Sequence, residues 1–491
     1  MPKTLKPTRR IKVLAYGDSP LVPSGFGTVM KNLFYYLGKT ERYDIDLFGI
    51  NDRGGWKDPQ AFPYHVYQSM PPGEQDPYGR SRFVDVLRGG GLDLQPPWDL
   101  IFFLNDPFVL ENPIPYFNLG TLPAVRDIQK THYLNLPPDM WFKTLGYFPI
   151  DSPVKPHWVL SAINLVDYPV TYTRYGQREI LKADKQLDQP TRVKVVRIPH
   201  GNNPADFYPL KKDLVRQFRR DFFGGAVRDE TFLVIVVGRN QRRKDIPRAM
   251  MVFKELQKRR PDSFLYVHAE EQEAWGSLIE TALQFGLRQG KDWNFPNDFI
   301  ATKGYPTNIL NAIFNAADVN LSMSQGEGWG LPITEAMAVK TINLAPAHTS
   351  IPELFHLPDI KDPGSVLRLD PGSKLHHWRG LPIAAGTTTS EWICHGSPDL
   401  ERVRPLANVD DALAKLLWVY DHPETVKTIE NRAYRWISRL TWEKVAHRWD
   451  QLFQTAFTQL EQERAHPERL KKKWAKMKIP SRPHPSNLTQ R

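Results

Sequence analysis

Residues 324–338, SQGEGWGLPITEAMA, are the stretch from which the rest of the chain can be read. They follow a short apolar run at 319–322, so the pattern is strand, small-residue loop, helix start. Gly326, Gly328 and Gly330 let backbone come close to a bound group. Pro332 falls in the first helical turn, where its missing N–H costs nothing. Free amides at a helix N-terminus, reinforced by the helix dipole, form an anion site suited to a diphosphate. Glu327 precedes the turn and Glu335 lies within it, eight positions apart. One carboxylate can thus face a sugar while the other reaches a ribose diol. Taken alone, a Glu pair at a helix start also reads as a cap and a solvated side chain.

The same alternation recurs on both sides of this loop. Upstream of the loop, FLVIVV at 232–237 opens a series of apolar runs continued at 264–268, 299–302, 319–322 and 341–344. An earlier series begins with IKVLAY at 11–16 and the turn GDSPLVPSGFG at 17–27, and continues at 44–50, 100–104, 147–149, 170–173 and 193–198. Strands alternating with helical patterns imply parallel sheets covered by helices, and the restart implies two such domains. A chain of 491 residues with 41% hydrophobic content supplies two cores, and its 43 prolines predict many stiffened loops. The expected division is 1–203 for the first domain and 204–440 for the second, with 353–408 as an irregular insertion. A helix over 441–465 and a basic tail over 466–491 complete the chain.

Cys394 is the single cysteine, so no internal disulfide forms, and no Cys/His spacing suggests zinc. The residues around the N-terminus are basic but lack the apolar stretch of a signal peptide, and no apolar run approaches the ~20 residues that span a bilayer. A cytoplasmic protein without an integral membrane segment is expected. The net charge of +11 belongs to the ends: residues 464–491 contribute +8 and residues 1–12 contribute +5, leaving the body near −2. Such ends read as solvated tails or as contacts to a polyanion, DNA or an anionic membrane surface.

The segment with Glu327 and Glu335 resembles the E-x7-E motif of the retaining glycosyltransferases of family 4, whose fold is GT-B. Other stretches agree in order and spacing. VVGRNQRRKDIPRAM resembles the family's phosphate-binding segment and aligns its Arg and Lys with Arg239 and Lys244. An Arg fork and a Lys point charge suit a pyrophosphate leaving group. RIPHGNNPADFYP, which contains His200, resembles the interdomain segment. The N-terminal glycine-rich loop corresponds to Ser24, Gly25, Phe26 and Gly27. YFPID at 147–151 resembles the stretch that carries a His-Asp pair in many members; here Ile150 and Asp151 stand there, without the His.

The resemblance implies two Rossmann-like domains facing a central cleft, with the C-terminal helix crossing back to the first. It implies a nucleotide-sugar donor (UDP-, GDP- or another NDP-sugar), no further cofactor, no metal, and retention of configuration. Glu327, Arg239, Lys244 and Asp151 are then the candidate catalytic residues. Gly25, Phe26, Gly27, His200, Gly328, Trp329, Gly330, Leu331 and Glu335 are the candidate donor-binding ones. His200 also reads as a plain core histidine, and Asp18 as a loop cap before an acceptor contact.

The acceptor is not written in these motifs. Aromatic-rich loops at 52–83 and 104–120 together with basic termini fit a nucleic acid, as in bacteriophage enzymes that glycosylate hydroxymethylated bases in DNA. RLKKKWAKMKI at 469–479 also fits a basic amphipathic helix on an anionic membrane, with a lipid-linked acceptor. Soluble saccharides remain open, as do a GT-B sugar-nucleotide epimerase and a binding protein without turnover. The 353–408 stretch reads as an acceptor-specific addition.

Overall fold

The structure, a computed structural model, describes residues 9–52, 62–71, 73–89, 97–111, 120–273, 276–296, 304–358, 362–368, 377–395 and 402–477. The chain divides into two compact units, residues 1–200 with 442–491, and residues 201–441.

The first unit is built on a parallel sheet of β1 (Ile11–Asp18), β2 (Tyr43–Ile50), β3 (His65–Gln68), β4 (Leu100–Leu104), β5 (Lys143–Phe148), β6 (Tyr168–Thr171) and β7 (Val196–Arg197), in the order 3-2-1-4-5-6-7. β4 is buried along its whole length, as a strand covered on both faces must be. The edge strand β3 is not among the sequence expectations: HVYQ is short and only partly buried, so it carries no apolar period.

The second unit repeats the plan. β8 (Phe232–Val237), β9 (Ser263–His268), β12 (Trp293–Asn294), β13 (Val319–Leu321), β14 (Ile342–Pro346) and β15 (Leu381–Ile383) form a parallel sheet in the order 12-9-8-13-14-15. In order of appearance this is again third, second, first, fourth, fifth, sixth, the Rossmann order. Two small pairs stand apart: β10 (Gln272–Glu273) with β11 (Gly276–Ser277), and β16 (Trp392–His395) with β17 (Arg402–Pro405). The strand expected at 299–302 lies outside the described residues. Within the stretch expected to be irregular, β15 completes the main sheet and β16–β17 form an antiparallel pair.

Helix Trp442–Ala465 belongs to the first unit, as the crossing-back expectation requires. Trp449 is fully buried, its ring 5.1 Å from that of Phe102 and 4.8 Å from that of Tyr147. Polar ties hold the helix along its length. Asp450 accepts from Tyr43 Oη at 2.6 Å and pairs with Arg42 at 2.6 Å; Glu463 pairs with Lys143 at 2.6 Å and Arg464 with Asp99 at 2.9 Å.

Residues 467–477 are not a solvated tail. Helix Pro467–Ala475 buries Leu470 and Trp474, and Tyr133 is stacked between Trp141 and Trp474 with both ring separations 4.7 Å. Lys130 Nζ donates to the Met477 carbonyl at 2.8 Å, and Arg126 lies over the Trp474 ring. The apolar face expected to lie on a membrane is therefore spent inside the protein, while Arg469, Lys472, Lys473 and Lys476 point outward, exposed. Among the described residues no helix is long and apolar enough to cross a membrane.

Candidate functional site

In a Rossmann sheet the strand order reverses between the first and fourth strands, and the crevice beyond their C-terminal ends is where ligands bind. In the second unit those strands are β8 and β13, paired with Val234 opposite Val319 and Ile235 opposite Asn320. The segments that leave them, 238–244 and 322–330, carry the residues the sequence singles out.

Gly330 sits at φ +96° as the cap of helix Leu331–Ala338, a conformation that strains any side chain with a Cβ. Pro332 occupies the first turn, and the first intrahelical bond described is Ile333 N to the Gly330 carbonyl at 3.0 Å. The amides of Gly328, Trp329, Gly330 and Leu331 thus precede the helical ladder, where the dipole favours an anion. Two bonds brace the loop from behind: Thr349 Oγ1 accepts from Glu327 N at 3.1 Å, and Ser350 Oγ donates to the Trp329 carbonyl at 2.8 Å. A buried Asn320–Asn343 pair ties the strands to the helix, with Asn343 Nδ2 on the Ile333 carbonyl at 3.1 Å.

Glu327 is buried, 8% exposed, and its carboxylate meets Lys244 Nζ at 2.6 Å and Arg243 Nη1 at 3.3 Å. Burial alone would raise its pKa. The charges of Lys244 and Arg243, with hydrogen bonds from Lys244 and Ser324, more than offset this and bring it down to about 2. Glu327 is an anion at every working pH. Glu335, half-buried on the helix, is the opposite case: burial pushes it up to about 8, and the Asp206 carboxylate adds to the effect. The two carboxylates of the motif therefore differ in charge at neutral pH, set by their surroundings alone.

The cations are arranged differently from the sequence expectation. Lys244 joins Glu327, but its companion there is Arg243, which also donates to the Gly326 carbonyl at 2.8 Å. Arg239, with a half-exposed side chain, forms an ion pair with Glu273. Neither Arg243 nor Glu273 is singled out by the motif. In the run QRRK at 241–244 any of three cations could face the loop, and the choice is made by the short 3-10 turn Arg242–Lys244.

In the first unit the equivalent position follows β1. Ser24 caps helix Gly25–Gly38, accepting from Gly27 N at 2.9 Å and donating to Asp18, which also takes Asn51 Nδ2 at 3.2 Å. Gly25, Phe26 and Gly27 are accordingly the first helical turn rather than a free loop. A Cβ at Gly27 would stand 2.2 Å from the Val22 carbonyl oxygen, so only glycine fits. Gly25 is exposed and Phe26 half-buried. Asp18 holds the capping serine. Asp151 is partly buried just beyond β5.

His200 is 3% exposed, its ring 4.0 Å from Tyr172, 5.4 Å from Tyr147 and 5.5 Å from Trp442. Burial lowers its pKa to about 3, so it is neutral. That setting is an aromatic core. Of the candidate acceptor loops, 53–61, 72 and 112–119 lie outside the described residues, as do 1–8 and 478–491 at the basic ends.

Residues 217–357 match the family profile described as "Glycosyl transferases group 1". No curated protein matches the chain in sequence. Among solved structures it is similar to a sucrose-phosphate synthase from Thermosynechococcus elongatus (15% identity, 91% of this chain and 100% of that chain, TM-score 0.63). It is also similar to Anabaena HepE in complex with UDP and glucose (14% identity, 91% and 100%, TM-score 0.60) and to a glycosyltransferase from Rickettsia africae (11% identity, 91% and 99%, TM-score 0.59). At such identities the likeness shows the fold, which is GT-B: two Rossmann-like α/β units.

Proposed function

We propose that the chain transfers a glycosyl group, with retention and without a metal, from a nucleoside-diphosphate sugar to a hydroxyl acceptor. The observation that carries this reading is the meeting of Glu327 with Lys244 and Arg243 beside the opening of helix Leu331–Ala338, at the strand-order reversal of the second sheet. The site combines a permanent carboxylate, mobile positive charge and helix-end amides. Such a set can orient a sugar and stabilise a departing diphosphate.

In this reading Lys244, Arg239 and the amides of residues 328–331 take the negative charge that grows on the leaving group. Glu327 orients the sugar, and Glu335 meets the nucleotide ribose. The leaving diphosphate oxygen accepts the acceptor's hydroxyl proton as the new glycosidic bond forms on the face from which the old one breaks. A fixed nucleophile is then not required, and cationic side chains do the work a divalent ion does elsewhere. The likeness to a fold that holds UDP and glucose in HepE supports the donor class.

For the acceptor we favour a hydroxymethylated base in DNA. The outward basic row Arg469, Lys472, Lys473 and Lys476 supports a polyanion, and the inward use of Leu470 and Trp474 speaks against a membrane-inserted helix. The test is a panel of UDP- and GDP-sugars incubated with hydroxymethylpyrimidine DNA, with unmodified DNA and with lipid-linked or soluble saccharides. Sugar incorporated into the modified DNA, and lost in Glu327→Ala, supports the reading. Transfer only to saccharides overturns the acceptor, and epimerised donor without transfer overturns the reaction class.

A further inference from the structure

The β16–β17 pair lies in the stretch that the sequence leaves irregular, yet one of its faces is built into the donor loop. Cross-strand partners share a face, so Ile393 and His395 with Arg404 and Arg402 form one side, and Trp392 and Cys394 with Pro405 and Val403 the other. Burial separates the two faces. Arg404 is 0% exposed and His395 6%, while Trp392 and Val403 are open to solvent.

The buried face closes on Gln325, itself 1% exposed and two residues before Glu327. His395 Nε2 lies 2.6 Å from Gln325 Oε1, and Arg404 Nη1 donates to the Gln325 carbonyl at 3.4 Å. At its other end the Gln325 amide nitrogen donates to Asp245 Oδ2 at 3.0 Å, and its backbone N–H donates to the Arg243 carbonyl at 2.7 Å. Gln325 thus spans from the β16–β17 pair to the segment that carries Arg243 and Lys244.

The chemistry of the chain of bonds fixes its direction. Asp245 Oδ2 also accepts from Arg248 Nε at 3.0 Å, so it faces the donor end of the Gln325 amide. The oxygen end of the amide then faces His395, and an amide oxygen only accepts. His395 must carry its proton on Nε2. The Nε2–H of the imidazole is called for by a partner that cannot supply a proton, 70 residues away in the chain.

We propose that His395 is a positioning residue for sugar transfer: its Nε2–H locks Gln325, and through it sets Glu327 against Lys244. The assignment rests on the donor site proposed above. Removing the donor leaves the buried Gln325 oxygen unpaired, which a buried polar group tolerates poorly. The amide turns to find a new partner, and the 324–328 loop loses its tie to Asp245. His395 acts here through Gln325, so its effect must appear in how well the two loops hold the diphosphate.

The experiment compares His395→Phe, His395→Gln and Val403→Ala in the full chain. Affinity for UDP and GDP is measured by calorimetry, donor kcat and KM by turnover, and the thermal midpoint without nucleotide. His395→Phe is expected to weaken diphosphate binding ~10-fold and to raise donor KM about as much, a tenfold change being the scale of one hydrogen bond to a well-ordered group. His395→Gln presents an amide N–H near the place of Nε2 and should return both to within ~3-fold of the wild type. Val403→Ala, on the open face, should change neither. The proposal is overturned if His395→Phe binds like the wild type, or if His395→Gln fails as badly as His395→Phe, which would mark a role in packing alone. A parallel Glu327→Ala arm keeps the two claims apart. If that variant still transfers sugar, it is the donor site that fails; if it is dead while His395→Phe is normal, only the positioning role fails.

Discussion

Glu335→Gln should stabilise the ligand-free protein, and the size of the gain should depend on pH. The folded chain holds Glu335 up near 8, through burial first and the Asp206 charge second, whereas an unfolded glutamate titrates near 4.5. Below pH 4.5 both states carry the proton and nothing is lost. As pH rises from 4.5 to about 8 the unfolded state releases its proton while the folded state keeps it, so stability falls across that window. At 1.36 kcal/mol per pH unit the interval caps the loss at about 5 kcal/mol. Partial exposure of the side chain lets water relieve some of this, so ~2 kcal/mol is the working figure at pH 8.5. For a unit of this size that corresponds to a rise of ~4–8 °C in the melting midpoint. The assay is calorimetry of the wild type and Glu335→Gln from pH 4.5 to 9 without nucleotide. The two curves should coincide at the acid end and diverge steadily above pH 5. Parallel curves would mean that the folded chain leaves the Glu335 carboxyl at its ordinary pKa, since only a raised one gives such a divergence. Above pH 8, where Glu335 is ionised, UDP or GDP should bind the wild type more tightly than Glu335→Gln if that carboxylate meets the ribose as proposed, because an ionised acceptor makes the stronger hydrogen bond.

Three further outcomes follow from the same geometry. Lys244→Met removes the nearest cation from Glu327, so turnover should fall ~10²–10³-fold. Because Glu327 is held near 2, its contribution to stability is full above pH 4.5 and fades as pH falls through 2; the variant should shift that acid limb to higher pH, read as the midpoint of acid unfolding. Trp474→Ala should release helix Pro467–Ala475 from Tyr133 at a cost of ~3–5 kcal/mol, seen as faster amide exchange and tryptic cleavage at Lys471–Lys473 with the sheet cores unchanged. Lys472→Gln combined with Lys473→Gln should lower the salt slope of DNA binding by ~2 without altering donor hydrolysis; an unchanged slope would remove these residues from any polyanion contact.

Those features that rest on local pattern were legible in the sequence. The runs at 11–16 and 232–237 open the two sheets as β1 and β8, and the glycines and Pro332 mark where helix Leu331–Ala338 begins. What depends on distant partners was not. Arg243 and Glu273 become part of the site only because one short turn and one strand pair aim them there. His395 and Gln325 meet across 70 residues, and Trp474 reaches Tyr133 across more than 300, separations over which no periodicity carries information. A basic helix with one apolar face has the same pattern whether that face meets lipid or an aromatic pair, so residues 469–477 could be placed only by the fold.

The most direct trial of the donor site is a crystal structure of the protein with UDP or GDP, whichever binds. The two phosphates are expected within hydrogen-bonding distance of the amides of residues 328–331, with Lys244 and Arg239 drawn from their carboxylate partners onto the phosphate oxygens. A nucleotide seated against another surface, with the Lys244–Glu327 and Arg239–Glu273 pairs intact, would contradict it.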